Sequence, residues 1–438
     1  MKASASTLVC AGCGWVAPPA ETSKYPFRCP NAGRDACDHV VTRELDSARI
    51  EWQRGDDPNP FIRHRELFHA WHTSRRRVQT DATYVDLVRR LDAAIAAVDG
   101  RGFRTTPFGP QAALSEQLGL ELWVKDETGN VGGSHKARHL MGILLYLHVV
   151  ERNERPPLAI ASCGNAAIAA AVLARAVERK LKVFVPTDAE PAVLEQLRAL
   201  RAEIMVCPRV PGAVGDPCVQ TFHEALAARA LPFCCQGNEN GLTIEGGETL
   251  GYEMVSALGA TDLDHVVIQV GGGALSSAVI QGMRYAHGAG VLRKLPRFHT
   301  VQTQGAWPLK RAWDHFQEQS RTLGEKAALE RATKHRSEFM RPWEETPRSV
   351  AHGILDDETY DWLAVVKGMA ASGGTAVVVD EDALRAANAL ARSATGINVD
   401  HTGSAGLAGL IQLKRDGVVA PGEKVAVIFS GVARSPSA

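Results

Sequence analysis

The stretch HVVIQVGGGALSSA, residues 265–278, is the part of the chain that most strongly decides the fold. Four of its first six residues are aliphatic, as in a strand buried on both faces of a parallel sheet. Three glycines follow, and they open a segment with helical composition. Consecutive glycines cost backbone entropy, so their presence predicts that a ligand approaches the backbone of this loop closely. Phosphate is the ligand that a helix N-terminus most naturally binds. The alternative is a flexible turn.

The same order of strand, loop and helix recurs along most of the chain. Strands are predicted at 121–125, 158–162, 182–186, 203–207, 265–270, 376–379 and 424–429, and most are followed by residues typical of helices. Apolar strands that alternate with helices predict an α/β fold with mainly parallel sheets covered on both faces.

Changes in composition divide the chain into four parts. Residues 1–45 are short of large aliphatic side chains and predict a small module that needs a staple such as a metal. Residues 46–104 are a helical lead-in, with an amphipathic helix near 84–98. Residues 105–260 and 261–438 are predicted as an N-terminal and a C-terminal α/β subdomain, the second with surface helix at 313–345.

The overall composition is that of an ordinary globular protein, with 438 residues, of which 45% are hydrophobic and 22% charged. The 49 basic and 49 acidic residues give a formal net charge of zero, so no general attraction to nucleic acid or membrane follows. No apolar run reaches the roughly 18 residues that span a bilayer, and the first residues lack the apolar core of a secretory signal. We expect a cytoplasmic location, with neither nucleic acid nor membrane as a partner.

A lysine follows a second glycine-rich turn, Gly132-Gly133-Ser134-His135-Lys136, between a predicted strand and a predicted helix. At a helix start, partial positive charge makes a lysine amine easier to deprotonate. A neutral amine is what Schiff-base chemistry requires. The alternative for Lys136 is a solvated surface lysine.

Two further turns come directly after predicted strands. The segment Ser162–Ala166, SCGNA, has small residues that let the backbone approach a ligand, before a helix whose N-terminus suits a carboxylate. An ordinary turn with Asn165 as cap is the alternative. Ser430-Gly431 follows the last strand, at the edge where α/β sheets bind ligands, and its alternative is a turn near the chain terminus.

These four features, taken in order, resemble the fold-type-II pyridoxal-phosphate (PLP) enzymes, the tryptophan-synthase-β-like superfamily. The resemblance covers roughly residues 105–435 and is greatest to the threonine synthase and threonine dehydratase group. Two further segments also resemble sequences of that group: NPFIRHREL (59–67) and TIEGGETL (243–250). It implies two doubly wound, mostly parallel-sheet subdomains and a small amino acid as substrate. By analogy, a homodimer is expected.

The resemblance also implies a role for each motif. Lys136 would hold PLP as a Schiff base and later carry protons, and Asn165 would bond the ring hydroxyl. The substrate carboxylate would be held by Ser162, Cys163, Gly164, Asn165 and Ala166, and the cofactor phosphate by Gly271, Gly272, Gly273, Ala274 and Leu275. Ser430 would face the pyridine nitrogen, and a hydroxyl there suits elimination of a β-substituent better than transamination, because it cannot keep that nitrogen protonated.

Four of the nine cysteines lie within the first 37 residues. Cys10-x2-Cys13 has the spacing of half a zinc knuckle, and Cys29 and Cys37 would complete four thiolates. Because seven residues separate Cys29 from Cys37, His39 is an alternative to Cys37. The sequence therefore predicts a zinc-ribbon-like module with a structural zinc, similar to a segment found in part of the threonine synthase group. The alternative is a degenerate ribbon that binds no metal.

The substrate is less constrained. The threonine synthases that this chain resembles usually place an arginine at the position of Thr243, to grip a substrate phosphate. Losing such a donor costs about 1.5–3 kcal/mol, which argues against phosphohomoserine. The leading hypothesis is a PLP-dependent lyase that acts on a small amino acid by β-elimination through an aminoacrylate. The alternatives are a synthase performing β- or γ-replacement, and a non-enzymatic binding module, against which Lys136 argues.

Residues beside these motifs receive simpler interpretations. Arg138 is expected to pack or to lie at the surface, and Glu245 and Glu253 to be solvated on a helix. His352 and Gly353, within residues 349–362, either line the site from the second half of the chain or belong to a plain loop.

Overall fold

The computed structural model describes residues 5–77, 79–209 and 216–434. The strands are β1 (Ser6–Cys10), β2 (Val41–Leu45), β3 (Phe108–Pro110), β4 (Glu121–Asp126), β5 (Leu158–Ala161), β6 (Leu181–Pro186), β7 (Glu203–Cys207), β8 (Leu231–Pro232), β9 (His265–Gln269), β10 (Arg297–Thr303), β11 (Ala376–Val379) and β12 (Lys424–Phe429). The helices are α1 (Pro60–Arg63), α2 (His69–Arg76), α3 (Asp81–Asp99), α4 (Ala112–Leu118), α5 (Lys136–Val150), α6 (Asn165–Ala176), α7 (Pro191–Ala199), α8 (Pro217–Ala227), α9 (Thr243–Gly247), α10 (Thr249–Leu258), α11 (Ala274–Gly288), α12 (Pro308–Leu323), α13 (Glu325–Lys334), α14 (Arg336–Phe339), α15 (Trp362–Ser372), α16 (Glu381–Thr395) and α17 (His401–Arg415). Within the described residues, no helix is both long and apolar enough to cross a membrane.

The strands form three sheets. β1 and β2 pair antiparallel in the N-terminal module. A four-stranded parallel sheet has the order β7-β6-β5-β8, and a six-stranded sheet has the order β11-β10-β9-β12-β4-β3, with β3 as its antiparallel edge strand. This arrangement confirms the predicted α/β fold with mainly parallel sheets.

The predicted elements match the observed ones closely, and β10 shows why some were missed. The strands at 203–207, 376–379 and 424–429 have the predicted bounds. β10 was not predicted because its sequence, RFHTVQT, mixes polar with apolar residues. Six of its seven residues are nevertheless buried, since β10 lies between β9 and β11 in the interior of the larger sheet. The predicted helix near 84–98 is α3, which Thr80 caps and Gly100 ends with a φ of 78°.

The predicted boundary at residue 260 does not separate the two larger sheets. β3 and β4 fall before that boundary, yet β4 pairs with β12 over its full length. The chain leaves the larger sheet after β4, builds the smaller sheet between residues 158 and 232, and returns at β9. Consequently α5, which begins with Lys136, starts where the chain crosses from one sheet to the other.

The N-terminal module is fastened to the body of the protein by a buried arginine in β2. Arg43 is ion-paired with Glu245, at 3.1 Å, and with Glu248. Glu245 also accepts a hydrogen bond from the His69 N–H. The expectation that Glu245 is solvated is therefore wrong, because a partner from β2, some 200 residues away in sequence, covers it.

Candidate active site

Lys136 is the first residue of α5 and is half-buried. The turn before it is tied to the end of β12, since the His135 N–H and the His135 Nδ1–H both donate to the Ser430 carbonyl at 3.1 Å. A β-bridge between Ser134 and Gly431 adds to this connection. Two of the predicted motifs, the lysine turn and the terminal Ser-Gly, are thus brought into direct contact.

The Ser430 hydroxyl oxygen is a hydrogen-bond acceptor in this structure. Its Oγ accepts a hydrogen bond of 2.7 Å from Gln269 Nε2, and the same amide nitrogen donates to the Gly403 and Ile428 carbonyls. Because the Ser430 oxygen already accepts from Gln269, the hydroxyl proton is available to an acceptor in the site. A neutral hydroxyl donor of this kind matches a ring nitrogen.

The glycine loop at 271–273 is covered by a segment that the sequence only partly indicated. Thr359 Oγ1 donates to the Gly271 carbonyl at 2.8 Å, and the Asp361 N–H donates to the Gly272 carbonyl at 3.1 Å. His352 is exposed, and the Gly353 N–H bonds Thr402. The stretch 349–362 therefore approaches the glycine loop through residues 356–361, rather than through His352 and Gly353.

The glycine loop packs against an acidic side chain. The Gly272 N–H faces the Asp356 carboxyl, and a Cβ placed on Gly271 would lie 2.3 Å from Asp356 Oδ2. Similarly, a Cβ on Gly272 would lie 2.8 Å from the Tyr360 ring. No side chain fits at these positions, so the loop needs glycine, and its backbone donors suit a phosphate.

Two acids lie close enough to Lys136 for its charge to lower their pKa values, Asp356 and Asp361. We call them the loop carboxylates. Burial raises the pKa of Asp356, against the opposing charge of Lys136 and the Gly272 N–H. Burial likewise raises the pKa of Asp361 to about 7, although the Gly237 N–H and Lys136 oppose it. Both carboxyls consequently favour protonation more than an exposed aspartate does.

The Ser162–Ala166 loop is the open side of the site. All five residues are exposed or half-buried, and Asn165 begins α6. Asn165 Oδ1 accepts a hydrogen bond of 3.0 Å from Arg434 Nη2, and its Nδ2 lies beside Gly431. Partial burial raises the pKa of the Cys163 thiol, and negative charges on neighbouring acids raise it further: Asp188, Asp216 and Glu190.

Sequence reasoning missed a buried group of charges two residues beyond Lys136. Arg138 is fully buried and donates to Glu127 at 2.7 Å and to Glu253 at 2.6 Å, and Lys125 is ion-paired with Glu253. We call these four residues the frame cluster. Burial would raise the pKa of Glu253, but the charges of Arg138 and Lys125 outweigh it and lower that pKa to about 2. The expectation that Glu253 is solvated is wrong, because α10 turns it toward β4 and α5.

The N-terminal cysteines also come together, with one change to the predicted set. Cys10, Cys13, Cys29 and His39 place their ligand atoms within 4.8 Å of one another. The Cys13–Cys29 sulfur distance is 3.6 Å, and Cys10 Sγ lies 3.5 Å from His39 Nδ1. A tetrahedral zinc, with bonds of about 2.3 Å to sulfur and 2.0–2.1 Å to nitrogen, places its ligand atoms about 3.5–3.8 Å apart, so this donor set fits zinc.

The fourth position of this set is held by His39 and not by Cys37. Cys37 belongs with Asp35 and His39 to a second, partly exposed group. His39 Nε2 lies 2.8 Å from Asp35 Oδ1, the carboxylate contact that commonly orients a metal-binding histidine. The geometry therefore favours the alternative, His39, over Cys37, because the chain after Cys37 turns the imidazole, not the thiol, toward the other three sulfurs.

Comparison with known proteins is consistent with this geometry. The family model described as "Pyridoxal-phosphate dependent enzyme" matches residues 101–431. The threonine synthase of Methanosarcina acetivorans is 28% identical over 336 residues, covering 74% of this chain and 74% of that protein. The biosynthetic L-threonine dehydratase of Haemophilus influenzae is 26% identical over 200 residues, covering 46% of this chain and 36% of that protein.

Solved structures share the fold. Maize serine racemase superimposes with a TM-score of 0.59 at 18% identity, covering 80% of this chain and 93% of that one. The processed form of threonine deaminase isoform 2 from Solanum lycopersicum gives the same TM-score and identity, with 80% and 90% coverage. At these identities the structures establish the fold alone.

The residues of the site fit PLP. A glycine loop that leaves no room for side chains provides backbone donors for a phosphate, Lys136 provides an amine at the crossing between the sheets, and Ser430 provides a hydroxyl. With the family match over residues 101–431, these features identify the chain as a PLP-dependent enzyme of the fold-type-II family.

Proposed function

We propose that this protein is a PLP-dependent lyase that removes a β-substituent from a small amino acid. Loss of HX from the amino acid, followed by hydrolysis with one water, gives a 2-oxo acid and ammonia. When bound, PLP supplies an electron sink for the carbon that carries the amino group. The observation that carries this proposal is the Ser430 hydroxyl, whose oxygen accepts a hydrogen bond from Gln269 Nε2 beside the lysine turn. We expect this hydroxyl to be a neutral partner for the ring nitrogen, which suits elimination.

Each predicted residue has a task in this scheme. Lys136 is the attachment point of the cofactor and moves the proton of the α-carbon, for which its place at the start of α5 is suited. Gly271–Leu275 hold the phosphate, and Asn165 holds the ring hydroxyl. The Ser162–Ala166 loop holds the substrate carboxylate, because its N–H groups open α6 and it is accessible.

The surroundings of the substrate loop favour a substrate without a phosphate group. Thr243, at the position where the resemblance to threonine synthases implies an arginine, is fully buried in α9 and brings no charge. The negative charges of neighbouring acids raise the pKa of Cys163 in the loop: Asp188, Asp216 and Glu190. A dianionic substrate would be repelled here, so a serine- or threonine-like substrate is preferred over phosphohomoserine.

A replacement reaction is the second candidate, because threonine synthases are among the relatives with 25–28% identity. The two reactions are distinguished by titrating the purified protein with L-serine, L-threonine, O-acetylserine and O-phosphohomoserine. Ammonia release with L-serine or L-threonine supports the lyase, whereas inorganic phosphate release from O-phosphohomoserine supports the synthase. Lys136→Ala is the control, and neither product should form with it. A wild-type protein that shows no visible cofactor band after PLP addition would refute both.

We also propose that Cys10, Cys13, Cys29 and His39 bind a structural zinc. His39→Ala and Cys37→Ser are matched variants that separate the two possible fourth ligands. His39→Ala should lower zinc affinity by at least about tenfold in competition with a chromophoric chelator, and Cys37→Ser should leave it within about twofold. The reverse order would make Cys37 the ligand. The homodimer and the cytoplasmic location stay predictions. Light scattering of the purified protein would test the homodimer.

A further inference from the structure

Asp38, which directly precedes His39, connects the N-terminal module to the segment that covers the glycine loop. Its side chain is 4% exposed. Its Oδ1 accepts hydrogen bonds of 3.1 Å from Trp362 Nε1 and of 3.1 Å from Arg336 Nε. A buried carboxylate fixes its donors in place, because breaking either bond leaves a desolvated charge less well paired.

Trp362 immediately follows the residues that hold the glycine loop. The Thr359 hydroxyl and the Asp361 N–H bond the carbonyls of Gly271 and Gly272, and the Trp362 N–H bonds the Thr359 carbonyl at 3.2 Å. The indole is fully buried. Since a large side chain in a close-packed interior has one well-defined position, the indole determines where the backbone of 359–361 lies.

Arg336 makes a second connection between the same two regions. Its guanidinium is ion-paired with Glu358, the residue before Thr359, as well as with Asp38. Its N–H donates to the Ala36 carbonyl at 2.9 Å. Residues 358–362, which cover the glycine loop, are therefore held at both ends. Arg336 pairs with Glu358 at one end, Trp362 lies at the other, and both Arg336 and Trp362 donate to Asp38.

On its other side, Asp38 packs against the turn that carries Cys10 and Cys13. A Cβ on Gly12 would lie 2.3 Å from the Asp38 carbonyl oxygen, and the Ala11 N–H donates to the Val40 carbonyl at 2.8 Å. No free space separates the two segments, so a rearrangement of the cysteine turn shifts residues 38–40 as well.

We propose that Asp38 is a positioning residue for the phosphate loop, and that through it metal binding by the N-terminal module strengthens PLP binding. This proposal rests on the cofactor and metal roles proposed above. Coupling between two sites is reciprocal: if zinc raises the affinity for PLP by some factor, PLP raises the affinity for zinc by the same factor. A zinc that serves only the local fold of the module gives no such factor.

The first experiment measures PLP affinity of the zinc-loaded, cofactor-free full chain by fluorescence quenching. Asp38→Ala should raise the Kd for PLP at least about tenfold, since it removes two hydrogen bonds to a charged acceptor. Trp362→Phe keeps the ring but removes its donor, and should give a smaller increase that does not add to that of Asp38→Ala. Glu44→Gln, an exposed acid in the same module, is the matched control and should bind as the wild type does.

Two further readouts distinguish positioning from a general loss of structure. The ³¹P resonance of bound PLP should shift in Asp38→Ala, because the donors around the phosphate are rearranged, and should not shift in Glu44→Gln. Zinc affinity, measured by chelator competition, should rise with PLP present in the wild type, and this increase should vanish in Asp38→Ala.

The outcomes separate the failure of the coupling from the failure of the proposed function. A wild type that binds no PLP overturns the proposed function. A wild type that binds PLP, with a Kd that neither Asp38→Ala nor removal of zinc changes, overturns the coupling alone. Should Asp38→Ala lose its far-ultraviolet dichroism, Trp362→Phe and the zinc titration of the wild type decide the question: no change in either overturns the coupling.

Discussion

The frame cluster and the loop carboxylates both contain buried carboxyl groups near Lys136, and they differ in the partners of those carboxyl groups. In the frame cluster, Glu253 is ion-paired with Arg138 and Lys125, and its pKa falls to about 2. Asp361 of the loop carboxylates accepts a hydrogen bond from the Gly237 N–H, and its pKa rises to about 7. Burial is common to both, so the partner decides whether the carboxyl is charged.

The difference separates a fixed part of the site from an adjustable part. Glu253 of the frame cluster is ionised at neutral pH, and Arg138 joins the start of α5 to Glu253 on α10 and to Glu127, which follows β4. Asp361 changes charge near pH 7, and burial raises the pKa of Asp356 above that of an exposed aspartate. Both carboxyls lie where an anionic ligand is expected. The lysine thus stands between a permanent framework and a region whose charge responds to pH and to ligand.

Breaking the frame cluster should have the largest effect on stability. Arg138→Ala leaves Glu127 and Glu253 buried with too few partners, so the free energy of unfolding should fall by about 3–5 kcal/mol, measured by urea denaturation. Arg152→Ala, an exposed arginine just after α5, is the control and should change it by less than about 0.5 kcal/mol. Equal effects of the two substitutions would show that the cluster contributes no more than surface charges do.

The next test concerns the titration of Asp361. An aspartate in the unfolded chain ionises near pH 3.9, whereas the folded carboxyl keeps its proton to about pH 7. Between these values the folded protein binds more protons than the unfolded one. The contribution of Asp361 to the free energy of unfolding is therefore fully present below about pH 4 and is lost as the pH rises to about 7. Asp361→Asn should remove up to about 4 kcal/mol of this pH dependence from the cofactor-free protein.

The measurement compares urea unfolding of the wild type and the variant at intervals between pH 4.5 and 7.5. Asp86→Asn, which changes an exposed aspartate on α3, should follow the wild-type curve throughout. If the Asp361→Asn curve also follows that of the wild type, Asp361 is ionised across this range and the contrast with Glu253 does not hold.

The sequence indicated the cofactor motifs better than it indicated the frame cluster or the loop carboxylates. Lys136, Gly271–Gly273 and Ser430 each come directly after a predicted strand or its loop, and parallel strands of one sheet end at the same edge. Their proximity was therefore predictable. The pairing of Arg138 with Glu253 was not, because 115 residues separate them and nothing local indicates that α10 faces α5.

Some signals were present in the sequence but incomplete. Lys125 and Glu127 flank the end of a buried strand, and charges in such a position require partners, which predicts a buried network without naming its members. In the N-terminal module the spacing named Cys10, Cys13 and Cys29, whose sulfur atoms lie together in the structure. Choosing between Cys37 and His39 depends on which side chain the backbone turns inward, and spacing alone carries no such information.

The smallest expected effect concerns Asp356 and the affinity for PLP. A carboxylate at the glycine loop repels a phosphate, so Asp356→Asn, which keeps the size of the side chain, should lower the Kd for PLP roughly fivefold, or about 1 kcal/mol. Asp357→Asn removes the same charge one residue away and is the control, with an expected change below about twofold. Weaker binding in Asp356→Asn would mean that this carboxylate helps to build the phosphate site, and the loop carboxylates would then belong to the fixed framework.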